Sequence, residues 1–300
     1  MNYGYFPGCS LHSTAKEFNI STKAVCSSLK INFTEVEDWI CCGATPAHTT
    51  NHDLGLALPY SNLQLAVQQG FDTLVAPCAA CYNRLKVSDF EIRKSDEKKN
   101  RIHEITEDKT EVDISILHLI EFFKNDFGIE EIKSAVKNPL VGLRVASYYG
   151  CLLVRPNEIV NFDDEENPTS MDEIVSAIGA DALDWSHKTE CCGAAHAIPK
   201  TEIVLQLCKK ILQAAENSSA DCIAVACPLC HANLDMRQNQ INKTFGTKFN
   251  TPILYITQLM GLALGYGAND LSLQSHFVDP IKLLTRKNLI PQLEKMNREN

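Results

Sequence analysis

Trp39-Ile40-Cys41-Cys42-Gly43-Ala44 recurs 150 residues later as Thr189-Glu190-Cys191-Cys192-Gly193-Ala194, an adjacent cysteine pair followed by Gly-Ala in both copies. A lone cysteine precedes each pair and a C-x2-C follows it. The first set is Cys9, Cys41, Cys42, Cys78 and Cys81; the second is Cys151, Cys191, Cys192, Cys227 and Cys230. The gaps within the sets are 31 and 35 residues in the first, 39 and 34 in the second. Five positions recurring in one order at similar separations mark an internal duplication. The chain therefore reads as two related domains, 1–138 and 139–300, the second copy beginning at Asn138-Pro139.

Local patterns follow the same duplication. Tyr5-Phe6-Pro7-Gly8-Cys9 resembles Tyr148-Tyr149-Gly150-Cys151, a short β-rich run ending at Gly-Cys where backbone can approach a cofactor closely. A helical pattern follows Cys9 up to about Leu29, and a helix is expected near Met171 to Ile178 in the second copy. Ile31 to Ile40 and Ala182 to Glu190 read as strands delivering the cysteine pairs. Leu54 to Gln69 and Thr201 to Glu216 show apolar residues at helical spacing. The runs Phe71 to Ala76 and Ala220 to Ala226 are nearly all apolar, as strands of a buried parallel sheet are. Each ends in its C-x2-C, which places those cysteines at a helix N-terminus, where free N–H groups and the positive dipole end favour a thiolate or an anionic cluster. Ile116-Leu117-His118 and Ile253-Leu254-Tyr255 close the correspondence. The fold class is α/β, with two pseudo-symmetric Rossmann-like lobes, each a small, mostly parallel sheet with flanking helices and its site at the strands' carboxyl ends.

Bulk properties narrow the function. Three hundred residues, 45% hydrophobic and 22% charged, are enough for two soluble domains. The N-terminus has no basic segment leading into a long apolar run, so no secretory signal is expected and the cytoplasm is the expected location. Pro252 to Ala268 is too short and too polar for a span and reads as buried. A net charge of −9 without a basic stripe argues against nucleic acid. The charged stretch 88–110 reads as a surface insert or exposed helix, and the chain after His276 as a polar tail that packs or meets a partner.

Thirteen cysteines, an odd number with tight C-x2-C spacing, fit metal ligation better than disulfides in a reducing compartment. Zinc takes four ligands in a closed tetrahedron. Five thiolates including an adjacent pair suit a multi-iron cluster in which thiolates bridge or share irons. A thioredoxin-like dithiol would leave the pairs and lone cysteines without a role, and the C-x2-C-x2-C-x3-C-P run of an ordinary cubane is absent.

These residues resemble the cysteine-rich CCG domain, duplicated as in the B-type subunit of methanogen heterodisulfide reductase, and the resemblance covers nearly the whole chain. It implies two non-cubane 4Fe-4S clusters, one per five-cysteine set, and a catalytic subunit that reduces the mixed disulfide of coenzyme M and coenzyme B in methanogenesis. Disulfide reduction needs two electrons, so each cluster would supply one electron and take one sulfur. It further implies a multi-subunit, electron-bifurcating complex with a C-type cubane iron-sulfur subunit and an A-type flavin subunit, fed by a hydrogenase or formate dehydrogenase. The chain has no G-x-G-x-x-G and no flavin fingerprint, so its electrons must come from another protein. Two other readings stand beside this one, an electron-transfer or anchoring subunit of a lactate-, glycolate- or quinone-linked oxidoreductase, and a zinc-stapled scaffold.

Outside the sets, Cys26, Cys208 and Cys222 fall on apolar faces and read as buried structural thiols. His48 and His196, each shortly after a Cys-Cys-Gly-Ala, are candidate proton donors. Arg84, Arg155, Lys188 and Lys200 are candidate partners for an anionic substrate group, or else surface charges.

Overall fold

The computed structural model describes residues 2–44 and 47–291, the side chain of His48 excepted. Strands β1 (Tyr3–Tyr5), β2 (Thr34–Glu35), β3 (Thr73–Ala76) and β4 (Ser115–His118) form one sheet in the order β2-β1-β3-β4. Strands β5 (Arg144–Tyr148), β6 (Asp181–Ala182), β7 (Cys222–Val225) and β8 (Ile253–Tyr255) repeat it as β6-β5-β7-β8. All six pairings are parallel, with Tyr3 opposite Thr73 in the first sheet and Val145 opposite Cys222 in the second. The wholly buried strands β3 and β7 occupy the interior of their sheets, as their continuous apolar runs require.

In each sheet the chain leaves the first central strand in one direction and the second in the other. Such a reversal opens a crevice beyond the carboxyl ends of the two strands. Gly8-Cys9 and Gly150-Cys151 lie beyond β1 and β5, and the C-x2-C segments lie beyond β3 and β7. The long helices follow the expected pattern, at His52–Gln68 and Thr201–Asn217, and the later helix of the second copy is Ser170–Ala177.

The expected strands Ile31 to Ile40 and Ala182 to Glu190 shrink to two residues each. Side-chain partners replace the sheet ladder there. Asp38 takes a left-handed backbone, φ 56°, and the Ile40 amide donates to Asn62 Oδ1 at 2.8 Å. In the second lobe Trp185 Nε1 donates to the Ser147 carbonyl at 2.9 Å, and the Tyr148 hydroxyl to the Glu190 carbonyl at 2.6 Å. The stretch 88–110 is more embedded than a surface insert. Ala79–Arg93 continues through it and a helix spans Asp96–Thr106; Ser88, Ile92 and Ile102 are buried, while Lys98–Glu91 and Arg101–Asp53 pair on the outside. After His276, the helix Ile281–Arg286 packs Leu283 and Leu284 inward, and Lys287 Nζ reaches Asp221 at 2.7 Å. Residues 292–300 lie outside the described part. Pro252 to Ala268 holds β8 and the buried helix Ile256–Ala263, and among the described residues no helix is long and apolar enough to cross a membrane.

One hydrophobic core runs through both lobes. Phe18 stacks on Tyr255 with centroids 4.2 Å apart, Ser21 bonds Thr257 at 2.7 Å, and Asn83 Nδ2 donates to the Leu152 and Arg155 carbonyls at 3.1 and 2.7 Å. Replacing buried Phe18 with Ala removes the stack and leaves a cavity, at a cost of about 3–5 kcal/mol. Urea unfolding of Phe18→Ala should show that loss; a midpoint within experimental error of the parent chain would show that the stack does not hold the lobes.

Candidate metal centre

Each cysteine reaches its place by a short, specific route from a strand end. Cys9 sits in the single turn Gly8–His12 after β1. Cys78 and Cys227 are the N-cap residues of the helices Ala79–Arg93 and Pro228–Asp235, and Cys81 and Cys230 lie one turn further on. Glycine before the lone cysteine is required by space. Gly8 has φ +70°, and a Cβ there would stand 2.7 Å from Cys81 Sγ; at Gly150, φ +67°, it would stand 3.1 Å from Cys230 Sγ.

The sulfurs of each set converge. Cys9 and Cys41 are 3.9 Å apart and Cys42 and Cys81 3.3 Å; in the second lobe Cys192 and Cys230 are 3.6 Å apart. Cys78 and Cys227 lie close enough across the lobe interface to shift each other's ionisation. A cavity of about 150 Å³ opens there, lined by Cys151, Cys191, Cys192, Cys227 and Cys230 from one lobe and by Ala44 and Ala79 from the other. A larger groove of about 510 Å³ elsewhere, between His187, Lys209 and Lys210, contains no thiol. Cys9, Cys41 and Cys191 are exposed, whereas Cys78, Cys81, Cys227 and Cys230 are buried.

The electrostatics favour thiolate in both nests, at Cys42 in the first and at Cys191 and Cys227 in the second. Hydrogen bonds from Cys41 and Cys81, with the Arg84 guanidinium nearby, hold the Cys42 thiol well below its ordinary range. Bonds from Cys230 and Cys78, and the backbone N–H groups of the helix start, do the same for Cys227. Cys191 is drawn down to about 6, chiefly by its bond from Cys151 and then by the Gly193 amide. Their partners move the other way. Cys78 is raised by its contact with Cys227 and by burial, and Cys81 and Cys230 by contact with Cys42 and Cys192. A buried nest of thiols that share protons is poised to exchange them for a cation.

Five soft donors per lobe, a glycine cradle at each and a cavity between them fit a thiolate-held iron-sulfur group. They exceed the four donors of closed tetrahedral zinc. Cys26 and Cys222 stand apart from both nests, and burial alone pushes Cys26 up to about 12; Cys208 lies behind the second nest, its Sγ donating to the Cys192 carbonyl at 3.5 Å.

The other sequence candidates divide. His196 is exposed, in the turn Ala194–His196, near enough to Cys191 to lower its pKa. The side chain of His48 is outside the described residues. Arg84 is half-buried, its Nη2 donating to the Gly55 carbonyl at 3.0 Å. Arg155 is committed to the Glu165 carbonyl and Thr189 Oγ1. Lys188 is a buried structural cation, bonded to Asp172 at 2.7 Å and to the Pro168 carbonyl, and Lys200 is exposed. Sequence reasoning missed the aromatic groups behind the C-x2-C segments. His118 packs edge-on against Tyr82 at 5.5 Å, and His231 stacks on Tyr255 at 4.4 Å. The residue after each C-x2-C and the end of the last strand thus exchange types between lobes, a signal already visible when the two halves of the sequence are laid side by side.

Residues 3–86 and 145–235 match the CCG family, described as a cysteine-rich domain. The chain belongs to that family. It is 33% identical over 289 residues to the 8-methylmenaquinol:fumarate reductase membrane anchor subunit of Wolinella succinogenes, covering 94% of this chain and 98% of that one. It is 32% identical to the B-type subunit of the ferredoxin:CoB-CoM heterodisulfide reductase of Methanosarcina mazei, and 31% to the B-type subunit of the ferredoxin/F420H2-dependent enzyme of Methanosarcina acetivorans, covering 94% of this chain and 95% of the relative in both cases. A hypothetical protein from Helicobacter pylori shares the fold, with a TM-score of 0.73 at 15% identity over 93% of this chain and 52% of that one. Family membership and the paired thiol nests together support an iron-sulfur redox role.

Lys188→Met leaves the Asp172 carboxylate buried without its cation, a loss of about 3–5 kcal/mol at neutral pH. Burial already raises the Asp172 pKa above its unfolded value. A raised carboxyl adds no penalty below the unfolded pKa of ~3.9 and costs stability as pH climbs through the folded value. The variant should therefore trail the parent least in acid and most at neutral pH in urea titrations; an equal deficit at both would refute the pairing.

Proposed function

We propose that this chain is the catalytic subunit of a disulfide reductase acting on the mixed disulfide of coenzyme M and coenzyme B. Cys9, Cys41, Cys42, Cys78 and Cys81 would hold one non-cubane 4Fe-4S cluster, and Cys151, Cys191, Cys192, Cys227 and Cys230 the other, one in each of the domains 1–138 and 139–300. The observation that carries this reading is the convergence of the two sets on one interface, where the cavity lined by Cys151, Cys191, Cys192, Cys227 and Cys230 also meets Ala44 and Ala79, the latter next to Cys78. The names of the two Methanosarcina relatives, both of them heterodisulfide reductase components, support it. When bound, the clusters supply the two electrons that cleavage of one S–S bond consumes.

The chain's own residues do the rest. The buried C-x2-C thiols and the apolar wall of Leu152 and Leu229 keep water from the deep side of the cavity. Exposed Cys9, Cys41 and Cys191 mark the side open to a substrate. His196, exposed beside Cys191, is placed to give a proton to a departing thiolate; His48, whose side chain lies outside the described residues, is the first copy's candidate from its sequence position alone. The protein would work in the cytoplasm with a cubane iron-sulfur subunit and a flavin subunit, in an electron-bifurcating complex fed by a hydrogenase or formate dehydrogenase.

A second reading, an electron-transfer or anchoring subunit of a quinone-linked reductase, is favoured by the Wolinella relative's name and full-length match. Anaerobically prepared protein should contain about eight irons with matching sulfide, and EPR signals should respond to a thiol and then to the mixed disulfide. Cys41→Ala and Cys191→Ala should each lose about half the iron and abolish disulfide reduction. Turnover retained in both variants rejects the two-cluster enzyme. Reoxidation by a menaquinone analogue with no response to disulfide selects the second reading, and a colourless protein with stoichiometric zinc rejects both.

A further inference from the structure

The two thiol nests are not electrically equivalent. Three residues beyond the last cysteine of each C-x2-C, on the same helical face, the first lobe has Arg84 and the second Asn233. In the second lobe buried Asn233 Nδ2 donates to the Cys192 carbonyl at 3.2 Å and lies 3.6 Å from Cys192 Sγ. The corresponding pair member in the first lobe is Cys42, and Arg84 stands one helical turn beyond Cys81, whose Sγ lies 3.3 Å from that of Cys42. Arg84 Nη2 is fixed by the Gly55 carbonyl, while its Nε is buried without a hydrogen-bond partner. A neutral amide in one lobe is thus a cation in the other.

The surroundings reinforce the difference. Ile40 precedes Cys41, whereas the carboxylate of Glu190 precedes Cys191. The second lobe does have an arginine, Arg237, but beyond the end of the helix Pro228–Asp235. Its Nε donates to Asn233 Oδ1 at 3.2 Å and its Nη2 to the Ala197 carbonyl at 2.7 Å, so the Asn233 amide bridges it to Cys192. The first-lobe counterpart of Arg237 is Ser88, bonded to the Leu56 carbonyl.

We propose that Arg84 makes the first-lobe cluster the more readily reduced of the two, so that a first electron settles there. The inference rests on the two-cluster reading above. Adding an electron makes a cluster more negative, and a nearby cation stabilises that state more than an amide dipole does. Solvent at exposed Cys9 and Cys41 acts in the same direction as Arg84, while also screening it.

The test is an anaerobic potentiometric titration followed by EPR, in Cys191→Ala to isolate the first-lobe signal and in Cys41→Ala to isolate the second. The first-lobe midpoint should be the higher. Arg84→Gln, made in Cys191→Ala and in the otherwise intact chain, should lower the reduced fraction at fixed potential on the order of tenfold, a shift of about 59 mV for one electron, confined to one of the two signals. Arg84→Lys should retain most of the parent potential. Equal midpoints, an unmoved Arg84→Gln signal, or a lysine variant shifted as far as the glutamine one would overturn the assignment. Absence of iron and sulfide from the intact chain would instead remove the cluster reading, and this inference with it.

Discussion

The approach of Cys78 to Cys227 across the lobe interface is the constraint on which the rest of the molecule depends. Each is the N-cap residue of a helix that starts beyond a buried parallel strand, and each strand lies beside the one that delivers the lone cysteine. For the two helix starts to approach, both sheets must point their carboxyl ends at one interface. The stack of Phe18 on Tyr255, the Asn83 bonds to the second lobe and the unbroken core all serve that apposition. Separate lobes would have two ordinary ligand crevices; docked, the thiol-lined cavity of the second lobe closes against Ala44 and Ala79 of the first.

Much of this was legible in the residue order. The apolar runs before each C-x2-C became the inner strands β3 and β7, and the spacing of the cysteines fixed which strand ends they occupy. The long amphipathic helices appeared within a few residues of their expected limits. What the order could not convey was how short the edge strands are. Ile31 to Ile40 is as β-prone as β3 in composition, but a left-handed Asp38 and the claim of Asn62 on the Ile40 amide end the ladder early. Those partners are far apart in sequence and meet only once the helices have packed.

The candidate site was likewise half legible. The ten cysteines announced themselves by repetition, and the structure brings them together as two nests. The fate of the nearby cations was hidden, because Lys188 and Arg155 look like Arg84 in sequence. Lys188 is consumed by Asp172, and Arg155 by the Glu165 carbonyl and the Thr189 hydroxyl; only the packing of the Ser170–Ala177 helix and the turn after Cys151 decides so. The exchanged aromatic pairs, Tyr82 with His118 and His231 with Tyr255, show how far two copies can drift while keeping one geometry: the ring contact is kept, and the side of the contact that carries the imidazole is not.

The uneven burial of the cysteines has a consequence for how the protein matures. Cys78, Cys81, Cys227 and Cys230 lie deep in the closed interface, while Cys9, Cys41 and Cys191 stand at its rim. An inorganic core must pass that rim to reach the inner thiols, or arrive before the lobes close around them. The rim thiols are the ones that solvent and an oxidant reach first, so an empty chain is damaged at its rim before its interior.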